Sequence, residues 1–154
     1  MKYWRLCGSC GGRCKARKLD RAISATESFS RFIFENGHYY KEDGRPKQKA
    51  FQPAPYKGEM ETSVGRLDQA GALRIRHLGI NSRYPKTAIG RAVITPEALK
   101  KAELYAKHDP MLCYHEHAVI KGWPIAPDPK ALWKVTASVL VKHSTPIIFL
   151  EREA

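Results

Sequence analysis

The stretch Ala88-Ile89-Gly90-Arg91-Ala92-Val93-Ile94-Thr95-Pro96-Glu97-Ala98-Leu99 decides the fold class. Its first half is apolar and β-branched over Ala88 to Ile94, the composition of a strand. Its second half opens a helix. Thr95 is a capping residue, Pro96 suits the first helical position, and Glu97 favours the positive helix end. Ala98, Leu99, Ala102, Tyr105 and Ala106 continue it as one apolar stripe, with Lys100, Lys101 and Lys107 largely outside it. A strand feeding a helix implies mixed structure.

Outward from there, Phe29, Phe32 and Ile33 recur at helical spacing, which predicts a helix over 20–35 stopped at Gly37. His38 to Lys49 is polar, with turn signals at Asp43-Gly44 and Pro46. Ala50 to Pro53 reads as a short extended piece. Glu61 to Leu67 alternates weakly and predicts a strand, while 70–81 fits helix or strand equally. Met111 to Ile120 predicts a further strand, ended by Gly122-Trp123-Pro124. Asp128-Pro129 opens another helix with Leu132, Trp133, Ala137 and Leu140 inward, stopped by Ser144-Thr145-Pro146. Ile147 to Leu150 is a last strand or a docked tail. The expectation is one α+β domain over 19–154, with about three helices on a small, mostly antiparallel sheet. Residues 1–18 are a separate basic arm.

The chain has 154 residues, the size of one domain, and a net charge of +12. Such charge concerns partners rather than fold, and it points to nucleic acid or another polyanion. No stretch reaches the roughly 18 apolar residues of a membrane span. The start, Met1 to Gly8, lacks the apolar run of a secretory signal, so the expected compartment is the cytoplasm.

Four constellations carry possible chemistry. Cys7, Cys10 and Cys14 have part of a zinc-knuckle spacing, since a thiolate pair two residues apart grips one ion. A fourth ligand would have to come from Cys113 or a histidine. The alternative is a metal-free basic leader, and the expected cofactor set is none, with zinc as the open option. Second, Cys113, His115 and His117 alternate, so a strand there would turn all three to one face. His117, near the strand end, is the candidate general acid or base; a surface histidine is the plainer alternative. Third, Lys47, Arg66 and Arg91 lead a set of scattered cations, with Lys49, Arg74 and Arg76, that would hold a phosphate if they converged. Solvated surface charge is the other reading. Fourth, Phe34, Tyr39, Tyr40, Phe51 and Tyr56 flank the basic loop, as stacking platforms for single-stranded nucleic acid or as core.

Several pieces together resemble a group of small bacterial proteins without an established activity. They are Arg31-Phe32-Ile33-Phe34, Lys47 with Ala50-Phe51 and Pro53, and Glu61-Thr62-Ser63-Val64 with Arg66. Gly90-Arg91-Ala92 and His117-Ala118 with Ile120, Gly122, Trp123 and Pro124 complete the set. The resemblance spans 29–137 and implies that residues 1–20 lie outside the shared domain. It brings no mechanism. Binding of a phosphate-bearing ligand, nucleic acid first, is the leading functional expectation. A small metal-independent enzyme on a phosphodiester or nucleotide, with His117 as acid or base, is the alternative. A module docking an acidic protein partner is a third.

Overall fold

Strand β1, Phe29–Ile33, lies where the sequence predicts a helix. The reason is burial on both faces. Phe29 and Ile33 enter one hydrophobic cluster and Phe32 another. A strand covered on both sides buries apolar residues on each, here Phe29 and Ile33 on one and Phe32 on the other, and that spacing imitates helical spacing.

The computed structural model describes residues 19–81, 87–111, 114–125 and 127–152. The proposed arm, with Cys7, Cys10 and Cys14, and also Cys113, lies outside them. The architecture is α+β. After β1 the strands are β2 (Ala54–Tyr56), β3 (Glu59–Arg66), β4 (Gly90–Ile94), β5 (Tyr105–His108), β6 (His117–Lys121) and β7 (Ile148–Phe149). All described pairings are antiparallel, in the order β5-β6-β3-β1-β4-β7, with β2 also on β3. The helices are α1 (Leu67–Ala70), α2 (Ala72–Ile80), α3 (Pro96–Lys101) and α4 (Lys130–Lys142).

One sheet face carries Phe29, Ile33, Val64, Ala92, Ile94, Ala118 and Ile120, and packs on Ala98 and Leu99 of α3 and Ala137 and Leu140 of α4. On the opposite face Phe32 packs with Ile75 and Leu78 of α2, Tyr114 and Leu150. Helix α2 sits very close: a Cβ on Gly79 would meet Leu150 Cδ1 at 2.5 Å and Phe32 Cε1 at 2.8 Å.

The capped helix forms as its sequence dictates, with the Ala98 N–H donating to Thr95 Oγ1 at 3.2 Å. It is shorter than its apolar stripe. Glu103 takes a positive φ of 56° and breaks it, so Tyr105 and Ala106 belong to β5. Three more expectations are overturned by the packing. Ala50 closes a 3-10 turn, Gln48–Ala50, and is not extended. The strand expected over 111–120 is only His117–Lys121, preceded by a turn at His115 and Glu116, because Met111 and Tyr114 bond each other and fold the chain back. Leu132, expected inward on α4, is 45% exposed.

Strands β1 and β2 meet the same edge of β3 at opposite ends, which leaves a gap. Arg31 fills it. Its Nε donates to the Ala50 carbonyl at 2.8 Å and its Nη1 to the Ser63 carbonyl at 2.9 Å. Burial pushes its pKa down to about 10, and the guanidinium still carries its charge at neutral pH.

Candidate functional site

Arg66 ends β3 and is fully buried. Its Nε donates to Glu27 Oε1 at 2.6 Å and its Nη2 to Glu27 Oε2 at 2.9 Å. Nη2 also donates to the Ala22 carbonyl at 3.2 Å. Nη1 donates to the Asp20 carbonyl and to His108 Nδ1, the latter at 3.2 Å. A guanidinium has five N–H donors, and all are used. None is left for an incoming phosphate. The group ties the segment before β1 to the end of the sheet.

The other expected residues do not gather round it. Register puts Arg66 opposite Phe29, on the face that packs on α3 and α4. His117 lies opposite Gly65 on the other face, and Arg91 lies opposite Phe32 on that same face. Between β6 and β4 stand β3 and β1, so His117 and Arg91 are three strand steps apart, about 14 Å. Both are buried. Lys47 belongs to a loop beyond β1, half-buried.

His117 is nevertheless well held. Its Nδ1 lies 2.7 Å from the Asp109 carbonyl oxygen and 3.2 Å from Asp109 Oδ2. Two acceptors place the proton on Nδ1 and leave Nε2 as the basic nitrogen. The ring meets Tyr114 edge-on, with centroids 5.3 Å apart. Burial first, and then the nearby Glu116 charge, hold the Tyr114 phenol above its ordinary pKa. Glu116 is itself buried, 3.4 Å from Arg74 Nε. His115 occupies the turn rather than a strand, so it does not share a face with His117 by strand alternation. Among the described residues no three His, Cys, Asp or Glu side chains group to hold a metal ion. No described helix is long and apolar enough to cross a membrane.

The exposed cations concentrate differently. Residues 39–46 form a tight hairpin. The Tyr40 N–H donates to the Arg45 carbonyl at 2.8 Å, the Gly44 N–H donates to the Tyr40 carbonyl at 2.8 Å, and Tyr39 bridges Pro46. Gly44 turns the chain at φ 72°, a conformation glycine adopts without strain. The hairpin is anchored from beneath. Tyr39 is buried with its ring 5.5 Å from that of Phe149, and the Ile147 N–H donates to the Gly44 carbonyl at 2.8 Å. Tyr40 faces outward at 45% exposure. Lys47 Nζ lies 4.9 Å and Arg45 Cζ 5.3 Å from its ring centroid. Arg45 also pairs with Asp43, and Lys41 and Lys49 are exposed nearby in sequence.

Of the five aromatics singled out by sequence, Tyr39 and Phe51 are core and Phe34 packs against the α2-side cluster. Tyr40 is 45% exposed with Arg45 and Lys47 over its ring, and half-buried Tyr56 has Lys57 Nζ 5.4 Å from its centroid. Sequence reasoning did not find the Glu27–Arg66–His108 cluster. Its members are 39 and 42 residues apart, and no local pattern links them. The only sequence signal was an arginine in a strand. No protein-family model, curated protein or solved structure matches this chain.

Proposed function

We propose that this protein binds a phosphate-bearing ligand, nucleic acid first, through the hairpin that presents Tyr40. The observation that supports it is the half-exposed Tyr40 ring with Lys47 and Arg45 lying over it, one of which an incoming base would displace towards its own phosphate. A base stacks on an aromatic face while neighbouring cations take its phosphates, and this combination favours unpaired strands. The net charge of +12 supplies sequence-independent attraction. Buried Arg31 and Arg66 have inward partners, so the attraction comes from exposed lysines and arginines. The test is anisotropy with labelled single-stranded and duplex oligonucleotides across a salt series. Binding that falls steeply with salt and favours the single strand is expected. No binding of either oligonucleotide at low salt rejects the proposal.

A second reading rests on His117. An imidazole with Nδ1 committed to Asp109 and Nε2 basic is the arrangement of a general base. The enzyme would need no metal. Phosphodiester or nucleotide turnover lost in His117→Ala, with binding intact, would support it. Absence of turnover in the wild-type protein would leave His117 as packing.

A further inference from the structure

We infer that Arg66, Glu27 and His108 form an acid-sensitive latch that holds residues 20–27 against the end of β3 and releases them when His108 takes up a proton. The inference is independent of the binding proposal. Arginine only donates, so His108 Nδ1, 3.2 Å from Arg66 Nη1, must be the acceptor. The closed latch therefore requires a neutral ring with its hydrogen on Nε2.

A proton on Nδ1 removes that acceptor and sets a second cation beside Arg66. The charged groups facing His108 come from three places. Arg66 ends β3, Arg21 and Glu27 belong to the latched segment, and Asp109 follows β5. Partial burial, and then the two arginines, hold His108 below the ordinary imidazole value of 6.5, while Glu27 and Asp109 pull the other way. Opening of the segment takes away its cover over His108 and the Arg21 charge, together with Glu27, and leaves Arg66 in place, so the closed state binds the proton less readily than the open one through burial and Arg21. Its advantage is complete above the ordinary value and is lost as pH falls through the lowered one.

Among the described residues the segment has few other ties. Its other hydrogen bonds are mostly internal: the Glu27 N–H to the Ser24 carbonyl at 3.1 Å, the Ser24 N–H to Glu27 Oε2 at 3.4 Å, and the Ala22 N–H to Asp20 Oδ1 at 3.0 Å. Ile23 packs partly against the core. The ties to the sheet are those of Arg66: the Asp20 and Ala22 carbonyls and both Glu27 oxygens. Release would free the backbone leading to residues 1–18, which carry Lys2, Arg5, Arg13, Lys15, Arg17 and Lys18.

Amide hydrogen exchange at residues 20–27, corrected for the intrinsic pH dependence and read from about pH 7.5 to about pH 5.5, measures opening directly. One linked proton gives an increase of up to about tenfold per pH unit. Amides of β3 and β6 should not follow. His108→Gln keeps a carbonyl acceptor for Arg66 and does not titrate, so its segment should stay closed throughout. A wild-type segment insensitive to pH, or a His108→Gln segment that opens like wild type, would overturn the latch. Nitrogen chemical shifts of His108 in the native protein provide a check that needs no variant. They should show hydrogen on Nε2 at neutral pH, and hydrogen on Nδ1 would equally overturn it.

Discussion

The end of β3 and the Tyr40 hairpin both place arginine or lysine beside other charged or aromatic groups, yet they use the charge in opposite ways. At Arg66 every N–H is spent on the protein itself, and the guanidinium is fully buried against a carboxylate. At the hairpin the cations lie over a half-exposed ring, Arg45 open to solvent and Lys47 half-buried. Charge counted from composition treats these alike. Where a cation is desolvated it becomes a structural tie whose loss strands its partner, and where it stays solvated it can meet a ligand.

The largest effect expected from this contrast is on Arg66. Arg66→Met leaves Glu27 buried without its cation, and breaking such a pair costs roughly 3–5 kcal/mol. Denaturant unfolding should show that loss, while oligonucleotide affinity of the folded fraction stays unchanged. A stable Arg66→Met protein with weakened binding would reverse the assignment of the two regions.

Gly65 tests the same end of the sheet by shape alone. A Cβ there would lie 2.5 Å from Tyr114 Oη and 2.7 Å from Ile75 Cδ1. Gly65→Ala should therefore cost roughly 1–3 kcal/mol through overpacking, visible as a lowered melting temperature. An unchanged melt would mean that the Tyr114 and Ile75 side chains move aside freely.

Tyr40→Ala should do the reverse of both. Removal of an outward ring should leave the melt within about 0.5 kcal/mol of wild type. Single-strand affinity should drop by roughly 1–3 kcal/mol, the worth of one stacked base. Equal affinity for wild type and Tyr40→Ala would remove stacking from the proposal while leaving the electrostatic part standing.

Lys47→Ala is the mildest. It should weaken binding uniformly across sequences and reduce the salt slope by about 1, as loss of one phosphate contact does. A salt titration of both proteins checks this, and an identical slope would place Lys47 outside the interface.

Much of the fold was legible where local chemistry decides local structure. The Thr95-Pro96-Glu97 start, the α4 start after Asp128-Pro129 and the Ile148–Phe149 strand all form near the positions read from sequence. The failures have separate causes. Phe29 to Ile33 imitated a helix because both its faces are covered, and Tyr105 joined the helical stripe although Glu103 had already turned the chain. At the candidate site, the turn at Asp43-Gly44 and the cations around it were visible. Which aromatic would face outward was not, because Tyr39 and Tyr40 are the same residue type side by side.

The α+β class, the capped helix and the basic loop with its turn were legible in the sequence because they follow from local patterns, and the positive charge because it is a matter of composition. Only the tertiary structure decided what the charges do. Arg66 meets Glu27 and His108 across 39 and 42 positions, and His117 meets Asp109 through a chain reversal. Whether a cation is buried and paired or solvated and available depends on packing between distant segments, and periodicity along the chain carries no record of that packing.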